Sequence, residues 1–351
     1  MFGGTRAVIG LDLGSTAVKA AQVKRVGKRY SVVAYRSEPL PRRTIVNGVV
    51  IDSAAVSRAI ERLIGPDTPF RAKHVCASLA GNAVIVKRIC LPVNDEAALG
   101  EAIFDEARRH IPFDIDDINL DFQVLDRGAT EPDGTTQILL AAAKKEKVDE
   151  YVALIANGGR TASIIDVAAF ALQNAYEANY RCDGESVVVL LNVGASNLTV
   201  NVLRGSESIL VREISIGGDA YTEALQKELG LPYEAAEQLK QQRKVEDATF
   251  EQAAPILRAV TETVLVELQQ TFDFFQSAGS SRRCDLIMVT GGASRLDGFK
   301  HMLQERFRTP VEELDPFRIV RWKPGTPEDN APDFASTAAV AVGLALRRVG
   351  D

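Results

Sequence analysis

This sequence carries a loose internal repeat. Near the start, Val8-Ile9-Gly10-Leu11-Asp12-Leu13-Gly14-Ser15-Thr16-Ala17-Val18-Lys19 reads as strand, glycine-centred turn and returning strand. About half a chain later, the run from Val187 through Leu191-Asn192-Val193-Gly194-Ala195-Ser196-Asn197 to Val200 repeats it. Asn192 falls where Asp12 did, Gly194 where Gly14 did, and Ser196 where Thr16 did. Both apolar runs are short, rich in β-branched residues and bounded by turn residues, which marks buried strands rather than helices. A third strand follows each time, through 31–35 and 208–211. Such repetition means one supersecondary unit built twice.

Helical patterns follow each strand set. Over 52–63, Ala55, Val56, Ala59, Ile60 and Leu63 form a stripe behind an Asp cap. Segments 219–229 and 253–275 are the counterparts, and 285–290 is a further buried strand ending in Gly291-Gly292. Strands alternating with helices predict an α/β fold. Material without a counterpart lies between the halves: strands at 84–90, 119–125 and 137–143, helices at 95–110 and 147–157, and a polar hairpin tip at 127–136. It reads as an inserted α+β subdomain. The expected division is a first lobe of residues 1–184 plus 335–351, with the insert at about 84–165, and a second lobe of 185–334. A proline-rich surface connection is expected at 322–333, and the Ala-rich segment 335–346 reads as a packed helix.

The 351 residues give room for about two domains of roughly 150 residues. With 46% hydrophobic and 25% charged residues, the chain has the balance of a globular protein rather than a disordered one. A net charge of −6 and 6% aromatic residues argue against gripping or stacking on nucleic acid. Cys76, Cys90, Cys182 and Cys284 form no CxxC pair and there are three His, too few for a closed zinc site, so free thiols in a reducing compartment are expected. No signal peptide is read at residues 1–6, and no window reaches the roughly 18 apolar residues of a membrane span. The expectation is a soluble, cytoplasmic protein.

The turns carry the chemistry. A phosphate needs converging N–H donors, and its metal needs a carboxylate nearby. Gly14 admits close backbone approach, and Ser15 and Thr16 add hydroxyls and amides. Asp12, ending the first strand, suits Mg²⁺ held through water. Lys19, on the returning strand, suits a β- or γ-phosphate oxygen. Alone this is also an ordinary tight turn. The second copy, with Gly194, Ala195 and Ser196, favours a phosphate clamp closing from two sides.

Here the chain resembles the actin-like ATPase superfamily of actins, sugar kinases and heat-shock chaperones. Asp12-x-Gly14-Ser15-x-x-x-Lys19 is similar to its first phosphate loop and Asn192-x-Gly194-Ala195-Ser196 to its second. Met288-Val289-Thr290-Gly291-Gly292-Ala293-Ser294 resembles its adenosine motif, with Gly291, Gly292 and Ala293 against the nucleoside. The alternative for that pair of glycines is a strand-to-helix turn. The resemblance narrows to the PilM family of type IV pilus assembly, relatives of FtsA. Glu106-Ala107-Arg108-Arg109-His110-Ile111-Pro112-Phe113, followed by Asn119-Leu120-Asp121-Phe122-Gln123, carries it. Gly217-Gly218-Asp219-Ala220-Tyr221-Thr222, Glu237-Gln238-Leu239-Lys240 and Gly343-Leu344-Ala345-Leu346-Arg347 fit as well.

The resemblance implies the duplicated ribonuclease H-like fold, with two lobes around a nucleotide cleft and an FtsA-like insert. It implies ATP and Mg²⁺ as ligands and the short N-terminal cytoplasmic tail of PilN as partner. Other pilus assembly proteins are further partners, contact with the inner membrane is indirect, and a homo-oligomer is open. Glu237 and Lys240 would lie near the ribose; the alternative is an exposed helix ion pair. Asp166 resembles an acidic position that orients attacking water in some relatives; the alternative is a helix cap. The second loop usually begins with Asp. Asn192 lacks the charge that positions metal and lytic water, so binding with slow hydrolysis is expected. Asp12, Asp166 and Asn192 are thus the catalytic candidates.

Other features carry less. His110 fits the cation-favouring end of a helix, Lys24, Arg25, Lys28 and Arg29 a solvated hairpin, and Phe272, Phe274 and Phe275 core packing. A sugar kinase needs a carboxylate base beside the substrate hydroxyl, and no such acid motif is read. An iron–sulfur dehydratase activator needs bridging cysteines in a neighbourhood that Cys182 and Cys284 lack. A filament-forming cell-division actin is opposed by the insert motif.

Overall fold

The computed structural model describes residues 7–27, 29–91, 96–125, 135–277, 283–322 and 334–350. Residues 127–134 of the expected hairpin tip at 127–136, most of the connection after Trp322, and Lys28 of the basic cluster lie outside those residues.

The first copy of the repeat folds as β1 (Val8–Leu13), β2 (Ala17–Val26) and β3 (Arg29–Pro39), an antiparallel meander. A short hairpin follows, β4 (Ile45–Val46) and β5 (Val49–Val50), then α1 (Ser53–Ile64) and β6 (His74–Leu79). Asp52 caps α1 by accepting the Ala55 N–H at 2.9 Å. The predicted stripe is buried, with Ile64 added to it. β6 lies parallel to β1.

The insert comprises β7 (Val84–Leu91), α2 (Glu96–His110), β8 (Ile118–Val124) and β9 (Thr136–Lys144). Its strands form a sheet of their own in the order β7-β9-β8, over a core of Ile89, Ile103, Ile118, Ile138 and Leu140. The sequence expectation carried the insert to about 165, and here the structure differs. In α3 (Lys145–Asn157), Tyr151, Leu154 and Ile155 pack into the first-lobe core beside Val56 and Ile60. β10 (Thr161–Val167) pairs with β6 in parallel. Burial of these apolar faces draws the chain back into the main sheet some twenty residues early.

After α4 (Ala168–Asn179), the second copy runs as β11 (Val187–Val193), β12 (Leu198–Arg204) and β13 (Glu207–Ile214). α5 (Gly218–Leu229), α6 (Tyr233–Lys240) and α7 (Phe250–Ser277) follow. β14 (Leu286–Thr290), α8 (Phe299–Phe307) and β15 (Val311–Glu313) complete this half. The second sheet runs β13-β12-β11-β14-β15. The first runs β10-β6-β1-β2-β3, extended at its edge by β16 (Arg321–Trp322) on β3. The two orders are one order: an antiparallel meander, then two parallel strands beside its first member.

Between the sheets lie α4 and α9 (Ala335–Ala345). Residues 338 to 345 of α9 are all buried, since it is covered on every side. A β-carbon on Gly343 would stand 1.7 Å from the Ala171 carbonyl oxygen, so the two helices touch backbone to backbone there. Among the described residues no helix is long and apolar enough to cross a membrane. The four cysteines are free thiols. Phe272 and Phe275 are core, Phe272 stacking on Phe307 at 4.5 Å, but Phe274 is 60% exposed, because successive positions on a helix face different ways. His110 Nε2 lies 2.9 Å from Glu106 Oε1 at the end of α2. Lys24, Arg25 and Arg29 are exposed.

Candidate nucleotide cleft

The two glycine turns have the same closure. Gly14 N–H donates to the Ala17 carbonyl at 3.2 Å, and Gly194 N–H to the Asn197 carbonyl at 2.9 Å. Each therefore sits at the same end of its sheet, and both line one cavity of about 730 Å³. Concave sites for small ligands have volumes of this order.

On the first side, Asp12 and Lys19 face each other across the β1–β2 ladder. Lys19 Nζ donates to Asp12 Oδ2 at 3.0 Å, and both side chains are under one-fifth exposed. A β-carbon on Gly14 would stand 2.7 Å from Lys19 Nζ, so the absent side chain is what lets the ammonium lie against the turn. Ser15 and Thr16 complete this wall.

On the second side, Asn192 lies opposite Thr199 on β12 and Thr290 on β14. Gly194, Ala195 and Ser196 line the cavity, held from behind by the start of α5. Gly218 N–H donates to the Gly194 carbonyl at 2.9 Å and Asp219 N–H to the Ala195 carbonyl at 2.8 Å. Ser196 Oγ reaches Asp219 Oδ2 at 3.2 Å.

Glu237 and Lys240 are no exposed helix pair. Lys240 is 11% and Glu237 24% exposed, on the cavity wall. Lys240 Nζ donates to Thr222 Oγ1 at 2.7 Å, to the Gly218 carbonyl at 3.0 Å and to Glu237 Oε1, and the Thr222 hydroxyl also donates to Glu237. Gly291, Gly292 and Ala293 line the same cavity. Gly291 has φ +90, and a β-carbon there would meet the Val193 carbonyl oxygen at 2.3 Å. Only glycine fits so close beside the second turn.

Residues 10–349 match the family described as type IV pilus assembly protein PilM. The chain belongs to the PilM family. A solved structure described as a PilM–PilN type IV pilus biogenesis complex matches 99% of this chain and 100% of its own at a TM-score of 0.87 and 27% identity. The ethanolamine utilisation protein EutJ from Carboxydothermus hydrogenoformans matches over 98% and 90% of the two chains, with a TM-score of 0.56 at 11% identity. MreB5 of Spiroplasma citri, bound to AMPPNP, matches over 97% and 95%, with a TM-score of 0.52 at 11% identity. These last two show shared fold alone: it is the actin-like ATPase fold that the resemblance implied.

In this PilM-family chain one candidate stands apart from the rest. Asp166 does not line the cavity: Arg347 Nε donates to its Oδ2 at 2.7 Å, and the Val167 N–H to its Oδ1 at 2.7 Å. Nor does it cap α4, whose N-cap is Val167 with no side-chain bond. Its side chain is 4% exposed, so the buried charge is compensated by the arginine.

The PilM fold also brings in residues that no motif marked. Tyr151 of α3 lies on the cavity floor, where burial first and the Asp12 charge second hold its hydroxyl protonated well above the usual range. Ser336 lies in the first turn of α9, and its carbonyl accepts the Thr290 hydroxyl at 2.8 Å and the Gly291 N–H. Ile45 and Gly48 reach the cavity from the β4–β5 hairpin. None of these had a sequence signal, because each is brought to the cavity by packing of its element.

Proposed function

We propose that the cavity binds ATP with Mg²⁺ and that the protein is a cytoplasmic, actin-like scaffold of the type IV pilus assembly platform. It docks the N-terminal tail of PilN at the inner membrane, and hydrolysis is slow or absent. The observation that carries this reading is that two copies of one glycine turn line the same cavity from two sheets. The partner follows from family membership and from the solved complex, which pairs a PilM with a PilN. The nucleotide is supported by the shared fold, since MreB5 was solved with AMPPNP and, separately, with ADP.

The residues fit a triphosphate. Ser15, Thr16, Ala195 and Ser196 offer amides and hydroxyls to its phosphates, and the Lys19 ammonium a charge on the first side. Among the described residues no three His, Cys, Asp or Glu side chains converge on one point. Asp12 would hold Mg²⁺ through water, and the ion would supply neutralisation of phosphate charge. Glu237 and Lys240 take the ribose, and Gly291 to Ala293 the nucleoside face. Asp166 is withdrawn from the catalytic set by its ion pair with Arg347.

The test is a titration of ATP into wild type and Lys19→Gln, with and without Mg²⁺. Expected is a Kd at least about tenfold weaker in Lys19→Gln, corresponding to the loss of one charge-assisted contact. Equal affinities for the two proteins, or no binding by wild type, would remove the nucleotide reading.

A further inference from the structure

A contact outside the cavity lining joins the two halves of the molecule. The guanidinium carbon of Arg42 lies 3.4 Å from the centroid of the Tyr233 ring, a cation–π pair. Arg42 stands in the link from β3 to β4, in the first half, and Tyr233 opens α6 in the second. Arg42 is exposed and Tyr233 partly buried. Holding so free an arginine flat on a ring costs side-chain entropy, so the contact calls for a physical account.

Each partner is tied by short steps to one of the glycine turns. Just before Arg42, the Leu40 N–H donates to the Thr16 carbonyl at 2.9 Å, and just after it Ile45 lines the cavity. On α6, Tyr233, Glu237 and Lys240 follow one another along one helix face, and the last two line the cavity. Lys240 Nζ donates to the Gly218 carbonyl at 3.0 Å, and the Gly218 N–H to the Gly194 carbonyl at 2.9 Å. The pair therefore completes a circuit from the first turn through Arg42, Tyr233 and α6 to the second turn. Its length depends on how far apart the turns stand.

We propose that Arg42 and Tyr233 form a latch that holds the two halves at the spacing in which both glycine turns reach one triphosphate, and so slows release of the nucleotide. This rests on the nucleotide reading of the cavity. Latch and ligand favour the same arrangement, so breaking the latch loosens the ligand by as much as the latch biased the closed form. The strength of an exposed cation–π pair sets that effect at about two- to fivefold. Neither side chain is buried, so substituting them leaves the cores of both halves intact.

A double-mutant cycle of Arg42→Ala and Tyr233→Leu on the full chain tests it, read in two ways. Release of radiolabelled ATP, chased with unlabelled Mg²⁺-ATP, should be about two- to fivefold faster in each single variant and no faster again in the double variant. Unchanged release in the single variants, or single effects that multiply in the double, overturns the latch. Tyr233→Phe should release at the wild-type rate, since its ring still faces the guanidinium. A rate as fast as that of Tyr233→Leu would assign the effect to the hydroxyl and sink the proposal. Urea unfolding without nucleotide is the second reading. There the loss caused by Arg42→Ala should disappear in the Tyr233→Leu background; equal losses in both backgrounds show that the pair joins nothing and overturn the latch. If wild type retains no radiolabelled ATP, the nucleotide reading fails and control of release falls with it, while the unfolding cycle still decides whether the pair links the two halves.

Discussion

Asn192 places an amide where the first turn has the carboxylate of Asp12. An amide can donate to a phosphate, but brings no charge to position a metal-bound water. Asn192→Asp should therefore raise single-turnover hydrolysis of bound ATP by at least about tenfold, a modest share of what positioned acid–base groups contribute. An unchanged rate in a rapid-quench measurement would show that Asn192 is not what limits the chemistry. Glu213 gives a pH effect of definite sign. A Glu carboxyl ordinarily titrates near 4.5, and in the folded protein burial raises this one to about 7. Folded protein thus holds a proton that the unfolded chain has released, so its stabilisation is complete below pH 4.5 and lost as pH rises to 7. Glu213→Gln cannot ionise. Its stability relative to wild type should grow between pH 4.5 and 7, by at most about 3 kcal/mol. Urea unfolding followed by Trp322, the single tryptophan, checks this, and a difference independent of pH would contradict it.

The meanders were legible as elements, because a β-branched run closed by a glycine turn leaves the chain few other choices. So was α1, from its stripe and Asp cap. The parallel strands β6 and β10 were not. His-Val-Cys-Ala-Ser-Leu and Thr-Ala-Ser-Ile-Ile-Asp-Val are short and without alternation, and only their pairing with β1 and with each other makes them strands. α9 was legible as a packed helix, but not the reason for its glycine. The contact of Gly343 with the Ala171 carbonyl leaves no room for a methyl group. Gly343→Ala should force α4 and α9 apart and destabilise the fold by about 3 kcal/mol or more, at the upper end of overpacking costs. Thermal and urea unfolding measure it; a stability within about 0.5 kcal/mol of wild type would mean that the helices can separate freely.

At the level of the whole molecule, the cavity is shared by the two halves, and the insert begins just beyond Ala80 of its lining. If nucleotide and the PilN tail favour different arrangements of these parts, linkage makes each alter the other's affinity equally. Calorimetry of the tail peptide should show a change of at least about fivefold between nucleotide-free and ATP-bound protein, the lower end of such couplings. Equal affinities would leave a scaffold without a nucleotide switch. The duplicated turns, their glycines and the insert motif can be read in one dimension, because strand periodicity and turn chemistry act between near neighbours in the chain. The cavity floor at Tyr151, near Asp12, and the Asp166–Arg347 pair join residues about 140 to 180 positions apart. No local rule relates such partners: burial of apolar faces brings them together, and only then does each polar group acquire its neighbour.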